Sequence, residues 1–452
     1  MNFNKKLAVA VSGAVMLMAG QFALADSTSD IVDALVGKGV LTEEEGKLIS
    51  KGHETAKSKA AKVEDKKGML SLSSADGKST MAIAGRIQLD SRHYSDGDGR
   101  SDAAADGFDI RRAYFGVSGK IGKYYDYKVV ANLANADTTS GKGGQMDEAF
   151  FGINYWKEAS FRFGQQKMPF SLEEQTSSRF TDFQERSMLN TAGGMVPAKE
   201  MGVQIHGVFG NGVFYGAAIS TGEGLNKTEA VTGDSNDLIG RIGINIAKAV
   251  GNKDDVYHVA IAGSTGSQGN SSQTAVYNPE DKGAGFFSST HTAVTGKRDR
   301  YGLEGALALS NFKVQGEYMK REWDRSSSVG DADVDGYYVS SSYMITGEKY
   351  ADSYKDGKFD RISPKKDFNP DDISKGWGAW EIGARYSAVD ARGLNLSTAS
   401  YYNQAQAYTL GLKWIPSPYV RVLMNYVDTE GEQVGGTKLD QKAVTLRTQM
   451  DF

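Results

Sequence analysis

Residues 444–452 read VTLRTQMDF. Val444, Leu446, Met450 and Phe452 are apolar and, with Thr448, occupy every second position; Thr445, Arg447, Gln449 and Asp451 between them are polar. A period of two is the mark of a strand with one apolar and one wet face. The pattern first appears at Met81. In 81–90, Met81, Ile83, Ile87 and Leu89 oppose Arg86, Gln88 and Asp90. Ala149, Phe151, Ile153 and Tyr155 alternate with Glu148, Gly152 and Asn154. Leu238, Ile242, Ile244 and Ile246 oppose Arg241 and Asn245, and Trp380, Ile382, Ala384 and Tyr386 oppose Glu381 and Arg385. Tyr408, Leu410, Leu412 and Trp414 oppose Thr409 and Lys413.

There are about sixteen such runs. They begin near 80, 108, 123, 145, 159, 200, 212, 236, 254, 299, 311, 334, 376, 404, 418 and 442. Short turns (IGK, KEA, GNG, SN, PSP) mostly alternate with long polar connections at 93–107, 168–199, 222–235, 266–298, 390–403 and 429–441. One connection, 348–375, is long where the alternation wants a short turn. It reads as an enlarged turn or a miscounted strand.

The composition agrees with an all-β chain. Gly 54 against Pro 7, with Tyr 22 and Phe 19, suits many strands joined by tight turns. Mean hydropathy is −0.43, and beyond the N-terminus no apolar run reaches the length a spanning helix needs. Residues 1–25 read as an export signal: Lys5 and Lys6, an apolar run from Leu7 to Gly20, then Ala23-Leu24-Ala25 as a cleavage site. Loss of Lys5 and Lys6 takes the formal charge from −4 to −6, which excludes a generally basic nucleic-acid binder. With no cysteine, an exported chain has no disulfide staples. Residues 26–79 read as a periplasmic helical or coiled-coil segment and linker. Ile31, Val32, Leu35 and Val36 recur at helical spacing, and Thr42-Glu43-Glu44-Glu45 is a capping box.

Runs of nine to thirteen residues, tilted, cross a bilayer. Their polar faces carry full charges on one run after another, which a soluble sandwich would leave to outer surfaces. A closed barrel turns them to a wet lumen and the apolar faces to lipid. Closure is compulsory, because an open edge in hydrocarbon strands N–H and C=O groups at several kcal/mol each. Residues 80–452 are therefore expected to form a transmembrane antiparallel β-barrel of about sixteen strands. Tyr124, Tyr125, Tyr127, Tyr155, Trp156, Trp377, Trp380, Trp414 and Tyr419 lie at run ends, suited to the headgroup belts. VTLRTQMDF is then the closing strand, paired with the Met81 strand.

A barrel of this size keeps an aqueous channel whose selectivity depends on lumen charges. Parity puts Arg86, Arg112, Lys128, Arg162, Arg241, Arg300, Lys313, Arg385, Lys413, Arg421 and Arg447 inside, with fewer acids: Asp90, Glu148, Glu304, Glu317, Glu381 and Asp451. Such a lumen favours anions. Many of these charges are equally expected to pair across the wall. The connection 168–199 is too long for a turn and carries Phe170, Phe180, Phe183 and Met188. It is expected to fold inward and narrow the barrel, bringing Glu173, Glu174, Arg179, Asp182, Glu185, Arg186 and Lys199. Enzyme signatures are scarce, with no GxSxG, HExxH or P-loop, and the five histidines show no metal spacing. No cofactor is expected. Asp331-x-Asp333-x-Asp335-Gly336 and the acidic stretch Asp96 to Asp102 read as solvated loops, not calcium sites.

Several stretches, GFDIRRAYFGVSGKIGKYYDYKV, FGQQKMPFSLEEQTSSRF, ERSMLN, KEMGVQIHG, WGAWEIGARYSAVD and YTLGLKWIPSPYVRVLMNY, resemble the phosphate-selective porin O and P family. The likeness runs over most of 80–452, and DIVDALVGKGVLTEEEGKL is similar to the N-terminal segment of many members. The resemblance implies a sixteen-stranded barrel in the bacterial outer membrane, a homotrimer among lipid and lipopolysaccharide, and passive passage of small anions such as phosphate along an arginine ladder and a lysine cluster. The ladder maps to Arg86 and the pair Arg111 and Arg112; regular pleating puts Arg112 inside and Arg111 outside, and both reach water only with a bulge or near the rim. Lys167, at the loop entrance, is the nearest match to the lysine cluster. Phe452 resembles the terminal signal read by the barrel-assembly machinery. Three rival readings remain: a non-selective or cation-preferring general porin, a structural tether or adhesin barrel, and a barrel enzyme.

Overall fold

The structure, a computed structural model, describes residues 27–66, 69–95, 106–134, 144–156, 158–191, 195–222, 224–227, 235–268, 274–277, 279–282, 287–290, 296–324, 331–394 and 402–452. The expected export segment 1–25 and the acidic stretch Asp96 to Asp102 lie outside them. The chain divides into an N-terminal unit and the barrel unit.

In the N-terminal unit, helices α1 (Ser27–Gly37) and α2 (Glu43–Lys59) form a hairpin. The capping box is present: the Glu45 N–H donates to Thr42 Oγ1 at 3.2 Å, and the Thr42 N–H donates back to Glu45 Oε2 at 2.9 Å. The stretch expected as a helical or linker segment is instead partly extended, with strands at Lys62–Lys66 and Met69–Ser73.

The barrel strands are β1 Thr80–Ser95, β2 Gly107–Ile121, β3 Tyr125–Asn132, β4 Gln145–Trp156, β5 Ala159–Lys167, β6 Lys199–Val208, β7 Val213–Ser220 and β8 Ser235–Asn245. They continue with β9 Asp255–Gln268, β10 Gly296–Leu309, β11 Phe312–Asp324, β12 Ala332–Met344, β13 Ala379–Asp390, β14 Tyr402–Ser417, β15 Val420–Gln433 and β16 Lys438–Asp451. Neighbours in sequence pair antiparallel. The seam is closed by β16 on β1, from Lys442 opposite Ser95 to Asp451 opposite Arg86.

The closing residue is locked in place. The Phe452 N–H donates to the Gly85 carbonyl at 3.1 Å, and the Gly85 N–H donates to the Phe452 carbonyl at 2.6 Å. The ring lies across Gly85, where a Cβ would stand 2.1 Å from it. The outer face carries Ile87, Leu89, Ile242, Leu303, Val339, Leu410 and Met424, all exposed, as lipid contact requires. Aromatic pairs mark two levels on it: Trp380 with Trp414 (5.7 Å between centroids) and Tyr386 with Tyr408 (4.8 Å).

Candidate functional site

The lumen begins with a change of phase in β2. Phe108 and Ile110 point outward, and so do Phe115 and Ile121. Even positions face lipid before the change and odd positions after it, so one residue's worth of pleat is lost between Ile110 and Phe115. Regular pleating, which would have turned Arg111 outward, therefore does not hold through β2. Arg111 Nε donates to Glu185 Oε1 at 2.8 Å inside the barrel. Arg112 donates to Gln88 Oε1 at 2.9 Å and lies 3.9 Å from Glu185. An irregularity of this kind turns two adjacent side chains to the same space.

Glu185 belongs to the 168–198 connection, which is anchored inside the barrel. Its one-turn helix α3 (Leu172–Gln175) is held at both ends. At the start, Glu317 of β11 accepts the N–H groups of Leu172 (3.0 Å) and Glu173 (2.8 Å). At the end, Lys167 Nζ donates to the carbonyls of Glu174 and, at 3.1 Å, Thr176. Arg186 donates to the Glu173 and Thr176 carbonyls at 3.0 Å and pairs with Glu174 at 3.0 Å. A carboxylate at the N-terminus and cations at the C-terminus complement the free N–H and C=O groups there. Glu173 accepts from Ser187 Oγ and Asn190 Nδ2, each at 2.7 Å, and Asp182 pairs with Lys313 at 2.8 Å. The Arg179 carbonyl accepts from Gln449 at 3.1 Å. Phe170, Phe183 and Met188 are buried beneath this framework.

Burial alone would raise the Glu185 carboxyl, but Arg111, Arg447 and Arg112 hold it well below the usual range. Burial outweighs Arg385 at Glu173 and raises its pKa.

Two other segments share the lumen. Glu280, between β9 and β10, accepts from Arg385 Nε at 3.0 Å, Ser387 Oγ at 2.5 Å, Thr409 Oγ1 at 2.6 Å and the Met188 N–H at 3.2 Å. Beside it Lys282 is lowered to about 8, first by burial and further by Arg111, Arg112 and Arg92, against the pull of Glu185. The second segment is the anomalous 348–375 connection. It is neither a loose turn nor a barrel strand. A 3-10 turn at Tyr350–Ser353 leads into a small hairpin of Tyr354–Lys355 and Lys358–Phe359. Tyr350 and Phe359 are buried. The Gly357 carbonyl accepts from Arg241 at 2.9 Å, and the Tyr354 hydroxyl meets His258 Nδ1 at 2.7 Å. Arg361 lies over Phe180 of the constriction loop at 4.9 Å.

These insertions divide the wall. From β8 to β16 most of the lumen charges are sealed in pairs. Arg241 forks onto Glu304 at 2.7 and 2.6 Å. Arg298 and Arg300 share Asp237 at 2.7 and 2.6 Å, and Lys413 meets Glu381 at 3.0 Å. Arg385 binds Glu280 and Glu173, and Arg447 binds Asp90 and Glu185, both at 2.6 Å. From β2 to β6 several charges stay partly open to solvent. Lys128, paired with Glu148, is 37% exposed, and Arg111 is 20% exposed. A cavity of about 140 Å³ lies here, lined by Arg162, Gln204, His206, Gln175 and Lys358.

Among the described residues, no carboxylate lies within ion-pair distance of Arg86, Arg162, Arg421 or Lys358. Arg86 donates to Ser178 Oγ at 3.0 Å and stacks on Tyr114 at 4.3 Å; Arg162 stacks on Phe150 at 4.9 Å and Arg421 on Phe180 at 4.7 Å. Sequence parity missed Asp237, Glu280 and Lys358. Asp237 lies at the lumen edge of a correctly read strand, but Glu280 and Lys358 sit in connections whose sequences carry no periodicity to orient them. The Asp331–Gly336 stretch, expected as a loop, is mostly strand: β12 begins at Ala332, and Asp333 approaches Lys320 at 3.6 Å. No group of three or more metal-ligating side chains occurs among the described residues.

A sequence profile described as phosphate-selective porin O and P matches residues 81–452. Porin O of Pseudomonas aeruginosa is 23% identical over 419 residues, 85% of this chain and 91% of that protein. Among solved structures, the outer membrane channel DcaP of Acinetobacter baumannii superposes with a TM-score of 0.52 at 12% identity, covering 83% of this chain and 98% of that one. The trimer form of OmpT from Vibrio cholerae gives 0.50 at 12% identity, over 82% and 99%. At such identities these two establish the fold alone.

Proposed function

This chain belongs to the phosphate-selective porin O and P family, and from that premise we propose that it conducts small anions, phosphate among them, by passive diffusion as a homotrimer. The chain is an outer-membrane porin, and its family and fold are those of a channel rather than an enzyme. The anion preference rests on one observation. Wall carboxylates neutralise most lumen cations, but among the described residues Arg86, Arg162, Arg421 and Lys358 have no carboxylate within ion-pair distance. Among the described residues, Glu200 and Glu317 have no cation within ion-pair distance and are tied up by neutral donors: Ser220 and Gly222 at one, and Leu172, Glu173 and Tyr338 at the other. The unmatched charge is therefore positive. Low-dielectric walls focus such a field and lower the entry barrier for anions.

Arg86, Arg111, Arg112, Lys128 and Arg162 are the residues we assign to the pathway. Arg241 and Arg385 support the wall, and Lys167 holds the constriction loop. Reversal potentials in planar bilayers under a salt gradient test this, with phosphate competing against chloride. Anion preference is expected, and a cation preference overturns the reading. The pairing of charges along β8–β16 favours one alternative, a general porin of weak selectivity, which equal permeability of both ions would support. The trimer is read by migration of unheated protein in detergent gels.

A further inference from the structure

The 348–375 connection leaves the wall at the short-turn end of the barrel, which faces the periplasm in such proteins. It fills that mouth unevenly. On one side it packs tightly: Tyr350 and Phe359 join Ala308 of β10, Met344 of β12, Ala379 of β13 and Ile415 of β14 in one buried apolar cluster. Arg361 extends this seal, lying 3.2 Å from Asp451 of β16 and donating to the Pro418 carbonyl. On the other side, towards β5–β8, the same connection borders two cavities. The inner one, of about 140 Å³, holds Arg162 and Lys358. The outer one, of about 460 Å³, lies at the turns that follow β6 and β8, with the exposed Lys248, Lys253 and Lys355 around it. Val208, Phe214 and Asp356 line both cavities, so the two meet end to end.

We propose that solute leaves the barrel through these two cavities, by a side passage from Arg162 and Lys358 past Phe214 to the lysines of the periplasmic rim, and that Phe214 sets its width. The ring is fixed for that task. It stacks on His258 at 5.3 Å between centroids, and the Arg241 guanidinium stands 4.9 Å from its centre. Its third neighbour is the tip of the small hairpin, Asp356-Gly357, where φ is positive at both residues (50° and 77°), as the tightest hairpin turns require. Gly357 must also be bare, because a Cβ there would fall 2.6 Å from the ring. A side chain clamped by such packing holds a passage at a fixed section. The rim lysines carry the positive field of the inner pair outward, offset in part by Asp255 and Asp356. The inference rests on the reading of this chain as a diffusion channel and not on which ion it prefers.

The chain has no cysteine, so an introduced one is the sole target of a thiol reagent. Lys355→Cys lies at the outer cavity. Lys366→Cys removes the same charge from an exposed position of the same connection on the sealed side, beside Gly376 and near Phe368, whose N–H donates to the Pro416 carbonyl at 2.7 Å. Single-channel conductance of each full-length protein is read in planar bilayers before and after addition of a maleimide with a bulky neutral chain. A several-fold fall is expected in the Lys355→Cys protein and little change in the Lys366→Cys protein. Phe214→Leu, in protein whose unheated gel migration matches that of the parent, is expected to raise conductance without any reagent. No fall at position 355, a fall of equal size at both positions, or unchanged conductance in Phe214→Leu overturns the proposal. Block at position 355 in a protein whose reversal potential favours cations upholds the passage and removes the anion preference alone.

Discussion

The two sides of the lumen use the same residue types for different ends. Along β8–β16, arginine and glutamate mostly meet in sealed pairs, with Arg241 on Glu304 as the fullest case. Along β2–β6, Arg111 and Lys128 keep water on part of their surface. A buried pair gives up hydration and recovers it in mutual attraction, so it supports the wall and offers little to a passing ion. A half-hydrated cation keeps a field that reaches the solute. Lumen charge is thus structural where the inserted segments cover it and functional where they do not.

The largest effect expected from this contrast is on the sealed side. Arg241→Ala leaves Glu304 buried beside His258 without its cation, and should cost about 3–5 kcal/mol in denaturant unfolding while leaving ion selectivity nearly unchanged. A large shift in reversal potential would show instead that the sealed side conducts. Arg86→Ala should affect both stability and selectivity, because the side chain is buried against Ser178 and Tyr114. A unit charge about 4 Å from a hydrated ion is worth about 1 kcal/mol, so about a fivefold fall in the anion-to-cation permeability ratio is the upper bound for this covered arginine. Arg112→Ala should act in the same direction, and unchanged selectivity in both variants would remove these two from the pathway.

A smaller effect is expected with pH. Lys282 is charged below about 8 and neutral above it. Anion preference should therefore weaken as pH rises through that value, and Lys282→Met should flatten the profile. Acid acts on Glu185 in the opposite sense. Its folded-state pKa is depressed, so the lock it forms with Arg111 and Arg447 is present above the ordinary carboxylate range. That contribution is lost only as pH falls through the depressed value. Single-channel noise should stay level to mildly acidic pH and rise below it. The smallest effect is expected outside the lumen. Lys438→Ala removes an exposed partner of Glu430 and should change neither selectivity nor unfolding.

Much of the barrel was legible before any coordinates. The sixteen runs fall on sixteen strands. The readings that changed were those where parity loses its footing. At Arg111 parity left a regular pleat and a bulge open, and the phase change in β2 is the bulge. The 348–375 connection has no period, so nothing in its sequence says that Tyr350 and Phe359 would be buried or that Lys358 would face Arg162.

By itself the sequence determined the strands, their lipid and lumen faces, and the closing contact at Phe452, because alternation between two solvents is written residue by residue. Only the tertiary structure decided which lumen charges neutralise one another and which remain for a solute. Those partners, such as Glu280 with Arg385 or Glu185 with Arg447, come from segments more than a hundred residues apart. Their meeting depends on how three insertions fill one bore.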